Sequence, residues 1–561
     1  MERFINILII DADPKNQKGL KAILSGGGNN VLFADHIEQA LPIIQQKEIG
    51  ILLINIDDPE FGGLELLHSL KEMSSQRSMY KLVITQNSAS AVKLVKGLHE
   101  GAVDYITIPF NPNLIKAKID VFKTLFYKDQ RINQLLNNIL PRNVLEDLNL
   151  YNKFSPKRVE NGVVLFTDFI EFSSKARNMK PIALLKKLDY YFTQFDEIIH
   201  RYKLEKVKTI GDAYMAIAGV TEDLPHPAMR AALAAIEMRD FILNEKQLSI
   251  ALNKEFWEMR IGIHMGPLVA GIIGSQKMSF DVWGDTVNIA ARAEQSSKAG
   301  SILITEPVAS ELEAFTLLNP TGLVNIHKRG GQINMYYLEL LKKEFSMYGE
   351  GRFANVEIRK MCGLSPIDFE HMRKDIINHL KALLPEDVVY HDVNHTLNVE
   401  KAAIRYARLE GVDEASIVLL RTAVLYHDAG FILQPDHNEP FAIKMAGDKL
   451  PKFGYSQDQI KIIQNIILAT SSGNAPQDLL QKIMCDADHD YLGRADYYQI
   501  ASKLRQELEN FGTVMTDNEW IAFQYHYMTE HHRYFTDTAK NIRIQGKKAR
   551  IAELKEKLNT A

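Results

Sequence analysis

Lys208 and Asp212 lie four residues apart in the stretch KVKTIGDAYMAIAGV. Asp212 follows a strand-like run and Gly211, and Asp168 closes another apolar strand in GVVLFTDFIEFSS. If the two strands are neighbours, the carboxylates converge, and paired carboxylates are ligands for Mg²⁺. Either aspartate alone is explained equally well by a turn.

A further group of polar residues follows in SFDVWGDTVNIAARAEQSS. Asn288 and Arg292 are four apart in a helical pattern and share one face, which offers an amide and a planar cationic fork to phosphate oxygens. Asp281 precedes this helix. Taken singly, Arg292 is explained by a surface position and Asp281 by a cap or turn.

Together these residues resemble the class III nucleotidyl cyclases, which make cyclic AMP or cyclic GMP from the nucleoside triphosphate. The resemblance covers about Leu135 to Leu341 and includes the helical element NNILPRNVLEDL. It implies two metal ions, Mg²⁺ or Mn²⁺, in each active site. The implied roles are metal binding by Asp168 and Asp212, base recognition by Lys208 and Asp281, ribose orientation by Asn288 and phosphate stabilisation by Arg292.

The resemblance also indicates the substrate. Guanylyl cyclases typically carry glutamate at the position of Lys208, whereas Lys208 can donate to adenine N1 and Asp281 can accept from the N6 amino group. We therefore expect ATP. Lys328 in NIHKRGGQINMYYL resembles the family's late phosphate-contacting lysine, but KRGG stands where KGKG is common, and Arg329 is the alternative.

The family's active sites form between two catalytic domains, and this chain has one such domain with the whole residue set. The resemblance therefore implies a head-to-tail homodimer with two equivalent sites.

The C-terminal third contains a second set of metal-ligand types. His391 and His395 are one helical turn apart in VVYHDVNHTLNV, His427 and Asp428 lie in LLRTAVLYHDAGF, and Asp488 lies in IMCDADHDYLGRADYY. A lone histidine would usually be structural, but imidazoles and carboxylates from several helices can converge on a transition metal.

This set resembles the HD superfamily of metal-dependent phosphohydrolases over about Ser365 to Phe511. The resemblance implies a bound metal, either a transition metal or Mn²⁺/Mg²⁺. The implied ligands are His395, His427, Asp428 and Asp488. The H-x-x-x-H beginning also resembles cyclic-nucleotide phosphodiesterases, in which the first histidine, here His391, protonates the leaving oxygen. His437 is a candidate ligand for a second metal, although ATSS from Ala469 offers no histidine where some binuclear relatives have one.

The first 125 residues or so alternate apolar strands with helical patterns, which predicts a doubly wound parallel sheet. They resemble the receiver domain of response regulators, but Asn55 stands where that family has the phosphorylated aspartate, four residues before Pro59. Asp57 and Asp58 are out of register. Ala12 stands where the family has a second acid, and Ile108 stands where it has a lysine. Asp11 and Thr85 match the residues that the family has at these positions. We expect dimerisation or docking of a regulatory protein or ligand instead of phosphorylation.

Composition fits a folded multidomain chain. Hydrophobic residues make up 46% and the net charge is -4, which gives no electrostatic footprint for nucleic acid. Two cysteines, no leader and no run of about 18 apolar residues predict a cytoplasmic protein without a membrane span. The predicted parts are a degenerate α/β receiver at 1–125, a helical transducer at 126–157, an α+β cyclase domain at 158–342, a linker at 343–364, an all-α HD domain at 365–515 and a helical extension at 516–561.

The sequence thus favours an adenylyl cyclase with a receiver-like domain and an HD domain. Two alternatives stay open. In one, HD hydrolysis is the main activity and the cyclase fold is a nucleotide sensor. In the other, the chain is a catalytically silent, nucleotide-binding scaffold.

Overall fold

The structure is a computed structural model in which the chain forms two compact units. Unit 1 comprises Met1–Ile132 and Asp368–Ala561, and unit 2 comprises Asn133–Ile367. The structure describes residues 4–57, 62–73, 79–86, 91–137, 139–151, 154–177, 179–221, 223–274, 278–325, 331–434, 438–471 and 473–560.

The chain begins with a five-stranded parallel sheet in the order β2-β1-β3-β4-β5. Its strands are β1 (Ile5–Ile10), β2 (Asn29–Ala34), β3 (Ile49–Asn55), β4 (Tyr80–Gln86) and β5 (Asp104–Ile108). The helices are α1 (Pro14–Leu24), α2 (Ile37–Gln46), α3 (Gly63–Met73), α4 (Ala91–His99) and α5 (Pro112–Asn137). This confirms the predicted doubly wound fold.

Both faces of this sheet are buried, which is why its strands read as continuous apolar runs. Along β1, Ile7 and Ile9 belong to one apolar cluster, whereas Leu8 and Ile10 belong to the cluster on the other face. Alternate side chains of a strand point to opposite faces, so each cluster receives every second residue.

Unit 2 contains a mixed sheet in the order β12-β13-β11-β9-β6-β8-β7, with β10 paired to β9. Its strands are β6 (Lys157–Phe169), β7 (Glu205–Ile210), β8 (Ala213–Ala218), β9 (Met259–Ile273), β10 (Ser279–Trp283), β11 (Ile302–Thr305), β12 (Thr316–Asn325) and β13 (Gln332–Leu341). The helices are α6 (Arg142–Tyr151), α7 (Phe172–Arg177), α8 (Pro181–Arg201), α9 (Pro227–Ala251), α10 (Asp285–Ser296), α11 (Glu306–Leu312) and α12 (Val356–Met361).

Helix α10 lies directly on the backbone of β9. A Cβ atom added to Gly262 would lie 2.1 Å from the backbone nitrogen of Glu294, so only glycine permits this approach. The close contact fixes the height of α10 above the sheet.

The C-terminal part of unit 1 is helical, as expected. Its helices are α13 (Phe369–Leu383), α14 (Val393–Glu410), α15 (Glu414–Tyr426), α16 (Glu439–Lys449), α17 (Gln457–Leu468), α18 (Leu479–Asp488), α19 (Tyr497–Asn510), α20 (Asp517–His526) and α21 (Asp537–Thr560). Short 3-10 turns in the chain lie at Lys343–Phe345, Met347–Gly349, Ala429–Ile432, Leu450–Phe453 and Asp490–Gly493, and a π-helical turn lies at Tyr527–His531.

One segment among the described residues, Glu414–Ile432, is long and apolar enough to cross a membrane. It is largely buried among the other helices, as the core helix of a folded domain would be, so its composition is weak support for a membrane span.

Candidate active sites

Asp168 and Asp212 lie at one end of the central sheet of unit 2. Asp168 is the next-to-last residue of β6, and Asp212 lies in the turn between β7 and β8. Strand β8 pairs with β6, with Thr167 opposite Tyr214, which brings the turn beside the end of β6. Burial raises the pKa of Asp212 to about 6, and the charge of Asp168 adds to this rise. A divalent cation relieves the mutual repulsion of two half-buried carboxylates, so these two side chains fit the binding of divalent cations.

Two further charged residues, Arg260 and Glu294, lie beside this carboxylate pair, and the sequence analysis missed both. Arg260 on β9 donates from Nη2 to Oδ2 of Asp168 at 2.9 Å, and its Nε lies 3.1 Å from Oε1 of Glu294 on α10. Burial raises the pKa of Glu294 to about 7 against the opposing charge of Arg260. Arg260 therefore links the carboxylate of Asp168 to a buried acid on α10.

Lys208 forms an ion pair with Asp281, which is 73 residues away in the chain. The distance from Lys208 Nζ to Asp281 Oδ2 is 2.6 Å. The register of β7 against β8 shifts between Lys206 and Lys208, and such a bulge re-aims side chains. The other carboxylate oxygen of Asp281 accepts a hydrogen bond from the backbone N–H of Val282. Both side chains of the pair are only partly exposed, so an entering ligand can reach them.

Asn288 and Arg292 lie on the exposed face of α10. Arg292 donates from Nη1 to Oε1 of Gln295 at 3.1 Å. Glu294, two residues after Arg292, is about 200° further round the helix. Within one chain, α10 thus presents Glu294 to Arg260, which contacts Asp168, and presents Asn288 and Arg292 to solvent.

The structure therefore brings the predicted cyclase residues together in pairs. Asp168 lies with Asp212, and Lys208 with Asp281, while the predicted Asn288 and Arg292 share a separate surface. The predicted phosphate contact at Lys328, with its alternative Arg329, lies outside the described residues.

The predicted HD ligands converge from three helices. His395 is in the first turn of α14, His427 and Asp428 directly follow α15, and Asp488 is the last residue of α18. His395 Nε2 lies 3.3 Å from Asp428 Oδ2 and 3.2 Å from Asp488 Oδ1, and His427 Nε2 lies 2.9 Å from Asp428 Oδ2. Burial alone would lower the pKa of His395, but the two carboxylates raise it to about 9.

The donor atoms of this cluster fit a metal ion. Nε2 of His395, Nε2 of His427 and Oδ2 of Asp428 are buried and have no well-formed hydrogen bond. The other ring nitrogen of His427 is 2.7 Å from the carbonyl of Val424, a contact that fixes the ring with Nε2 toward the cluster. Buried polar atoms without partners require an explanation, and a coordinated cation supplies it. The predicted candidate for a second metal, His437, lies outside the described residues.

His391 is held beside this cluster by a residue that the sequence analysis missed. Its Nδ1 contacts Oε1 of Glu507 on α19, and the other carboxylate oxygen of Glu507 accepts the backbone N–H groups of Tyr390 and His391. Burial alone would raise the pKa of Glu507, but the contacts with His391 lower it. The His391 ring also stacks on Phe431 at 4.2 Å between centroids. The chain thus fixes the orientation of the imidazole.

Two pockets flank the HD cluster and share Tyr390, Asp488 and Tyr491 in their walls. One has a volume of about 170 Å³, and Arg494 and Lys503 contribute positive charge to its lining. The other has a volume of about 210 Å³. Its aromatic lining includes Tyr390, Tyr491, Tyr497, Trp520, Phe523 and Tyr527.

The acceptor region of the N-terminal sheet is occupied by internal hydrogen bonds. Asn55 Oδ1 accepts from the backbone N–H of Asp57 at 2.9 Å. The carboxylate of Asp57 accepts from Thr85 Oγ1 at 3.1 Å and from the backbone N–H of Gln86 at 2.5 Å. Asp11 is buried and accepts from Asn16 and from a backbone N–H. Asp58 lies outside the described residues.

Three family models match the chain in the predicted order. The "Response regulator receiver domain" matches residues 7–120, the "Adenylate and Guanylate cyclase catalytic domain" matches residues 154–340, and the "HD domain" matches residues 392–490. The chain therefore carries a receiver domain, a class III cyclase catalytic domain and an HD domain.

Known proteins are similar to parts of the chain. An "Adenylate cyclase" of Mycobacterium tuberculosis is 33% identical over 212 residues, which are 37% of this chain and 46% of the relative. A "Guanylyl cyclase, membrane" of Dictyostelium discoideum is 30% identical over 42% of this chain and 16% of the relative. The chain thus spans less than half the length of these relatives, whose names include both activities.

Among solved structures, the adenylyl cyclase CyaB from P. aeruginosa is 25% identical over 33% of this chain and 96% of that chain, with a TM-score of 0.32. The catalytic core of a rhodopsin-guanylyl cyclase with converted specificity, in complex with ATPalphaS, is 32% identical over 33% of this chain and 97% of that chain, with a TM-score of 0.31.

Proposed function

We propose that the protein is an adenylyl cyclase that converts ATP to cyclic AMP and pyrophosphate. The observation that carries this proposal is the carboxylate pair of Asp168 and Asp212 at the end of the sheet of a class III cyclase domain. Two Mg²⁺ or Mn²⁺ ions bound there would supply positive charge to the triphosphate and to the ribose 3′-hydroxyl. Arg260 holds Asp168 in position through its 2.9 Å contact.

The ion pair of Lys208 and Asp281 favours ATP over GTP. Lys208 donates to adenine N1, Asp281 accepts from the N6 amino group, and guanine presents the opposite pattern at these two positions. Because the two side chains already contact each other at 2.6 Å, their positions are fixed before the base arrives. Lys208 and Asp281 thus distinguish ATP from GTP at the base, away from the reacting phosphate.

The enzyme works as a homodimer in this proposal. The two faces of α10 support it, because Glu294 contacts Arg260 of its own chain while Asn288 and Arg292 face solvent. A second chain that docks on this surface would receive the amide and the guanidinium in its own active site. Arg292 would then stabilise the charge that develops on the attacked phosphate.

A charge-reversing variant at the proposed base site tests the preference for ATP. In Lys208→Glu, the new carboxylate cannot donate to adenine N1, so we expect kcat/KM for ATP to fall at least about a hundredfold, since unpaired polar contacts discriminate strongly. Lys254→Glu, at an exposed position of the same domain, is the control, because it changes the same charge outside the Lys208–Asp281 pair. Unchanged ATP kinetics in Lys208→Glu would refute the assignment of the base site.

We propose a second activity for the HD domain, the hydrolysis of a phosphodiester such as cyclic AMP. Three buried atoms without hydrogen-bond partners favour a metal centre, and the Glu507–His391 contact favours a proton donor beside it. When bound, a transition metal, Mn²⁺ or Mg²⁺ would polarise the phosphate and activate a water molecule. His391 would donate its proton to the leaving oxygen.

The aromatic pocket beside the HD cluster fits the base of a nucleotide. An apolar cavity of about 150 Å³ is large enough for benzene, and this pocket of about 210 Å³ is larger and has aromatic walls. The test is the incubation of the purified protein and of His427→Ala with cyclic AMP and Mn²⁺. We expect AMP from the unaltered protein only, and intact cyclic AMP in both samples would refute this second activity.

In this proposal the receiver domain is not phosphorylated, because the Asn55 amide cannot form an acyl phosphate. The signal would reach the enzyme through a regulatory protein or a small ligand. The protein would act in the cytoplasm, without a membrane span and without a nucleic-acid partner.

A further inference from the structure

The receiver sheet and the HD domain belong to one compact unit, and β2 packs against α21. The contacts involve the edge of the sheet at which β1 and β2 begin. Asp11, Asn55 and Thr85 lie at the other edge, where the strands end. The HD domain therefore packs against the end of the sheet opposite Asp11, Asn55 and Thr85.

A buried amide network joins the two domains. Asn30 is fully buried, and its Nδ2 donates to Asn6 Oδ1 at 2.7 Å and to Thr538 Oγ1 at 3.1 Å. Its Oδ1 accepts from Asn541 Nδ2 at 2.8 Å. Asn30 thus has hydrogen-bond partners in both domains. Because a buried amide without partners is costly, separation of the domains would have to expose it to water.

An ion pair and a close backbone approach lie beside this network. Lys47 Nζ is 2.7 Å from Oε2 of Glu410, and both side chains are mostly buried. The other carboxylate oxygen of Glu410 accepts from the backbone N–H of Thr538. Gly411 ends α14 with a φ of 76°, and a Cβ there would lie 2.4 Å from the carbonyl oxygen of Gln46. Charge and shape are therefore complementary across this surface.

Phe4 connects the same interface to the HD metal cluster. Its ring lies 4.6 Å from the guanidinium of Arg405 and 5.3 Å from that of Arg543. Both arginines donate to Oδ1 of Asp490, at 2.7 and 2.8 Å. Asp490 is 2% exposed and lies two residues after the proposed ligand Asp488. Phe4 of the receiver thus covers Arg405 and Arg543, the two cations that hold the turn of Asp490.

We infer that the receiver domain is a permanent docking partner of the HD domain and positions the turn of Asp488 and Asp490 through Phe4, Arg405 and Arg543. The buried carboxylate of Asp490 needs both arginines, because an unpaired buried charge is strongly unfavourable. The ring of Phe4 shields the guanidinium groups from water and so strengthens their contacts. The docking part stands on the contacts alone, whereas the positioning part rests on the metal centre proposed above.

The docking part is tested by charge exchange in the full chain. Lys47→Glu places two carboxylates together, so we expect faster hydrogen exchange in both β2 and α21. The combined variant Lys47→Glu with Glu410→Lys restores opposite charges, and we expect it to recover part of the protection. Lys93→Glu, on α4 of the receiver, is the control for a change of charge alone. Unchanged exchange in Lys47→Glu would overturn the docking.

The positioning part is tested by Mn²⁺ binding to a chain that also carries Asp168→Ala and Asp212→Ala, so that the HD cluster is observed alone. We expect Phe4→Ala to weaken Mn²⁺ binding about tenfold, since partners outside the ligand shell tune metal affinity. Phe33→Ala removes the same type of ring from β2, away from Arg405 and Arg543, and should leave the affinity unchanged.

Equal affinity in Phe4→Ala and in its parent chain would overturn the positioning role. If the parent chain binds no Mn²⁺, the proposed HD metal centre fails and the positioning role fails with it. The exchange measurement still decides the docking in that case, because it needs no metal.

Discussion

A mixture of an Asp212→Ala chain with an Asn288→Ala chain should regain cyclase activity if each active site takes residues from two chains. The proposed homodimer has this arrangement, and the geometry of α10 supports it, because Glu294 contacts Arg260 of its own chain while Asn288 is exposed to solvent. In a mixed dimer, one site combines an intact Asp212 with an intact Asn288. The other site contains both alterations.

The size of the recovery follows from the symmetry. Random pairing of equal amounts gives about half mixed dimers, each with one working site of two, so we expect about a quarter of the unaltered activity. Each variant alone should fall about a hundredfold or more, because a charge-stabilising or positioning group is lost. The mixture should therefore exceed either variant by at least about 25-fold.

The assay measures cyclic AMP formation by each variant and by the mixture, after the chains have been denatured together and refolded. Two different affinity tags isolate the mixed dimers and confirm that they formed. If α10 served its own chain, every mixed dimer would carry one alteration per site. Isolated mixed dimers no more active than the single variants would then refute the shared site.

Three further outcomes follow from particular contacts. Burial lowers the pKa of His264 to about 4, so as pH falls the unfolded chain binds a proton at this histidine before the folded chain does. The cyclase domain should therefore gain up to about 3 kcal/mol of stability as pH rises from about 4 to 6.5. Hydrogen exchange in β9 measures this gain, and His264→Asn should reduce it. Gly262→Ala should destabilise the same domain by about 1–3 kcal/mol or more, since its Cβ would overlap the backbone of Glu294, and denaturant unfolding measures the loss. Glu507→Gln should lower kcat for the proposed phosphodiester hydrolysis about 10- to 100-fold while Mn²⁺ binding persists, because Glu507 orients His391 and is not one of the proposed metal ligands. Equal kcat in Glu507→Gln would exclude this role.

The sequence predicted the layers of the fold because strands and helices carry their own periodicity. The continuous run INILII becomes β1 with both faces buried, and the pattern ending at Asp168 becomes β6. Carboxylates at strand ends and histidines one helical turn apart are local signals. The pairs Asp168 with Asp212, and His395 with His427, are far apart in the chain and meet only because their strands are neighbours and their helices pack together.

The missed residues have partners far away in the chain. Glu507 contacts His391 across 116 residues, and nothing in its own helix distinguishes it from a surface glutamate. Arg260 and Glu294 likewise read as ordinary charges until β9 and α10 are stacked. The docking of the receiver on the HD domain joins Asn30 to Thr538 across 508 residues, a pairing that no periodicity reports.

The most direct test of the central claim incubates the purified protein with Mn²⁺ and either ATP or GTP, beside an Asp212→Ala control. Cyclic nucleotide, pyrophosphate and AMP are measured separately over time. We expect cyclic AMP and pyrophosphate from ATP, little cyclic GMP from GTP and neither product in the control. Cyclic GMP as the main product would contradict the assignment of the base site. Cyclic AMP at the same rate in Asp212→Ala would contradict the proposed active site itself.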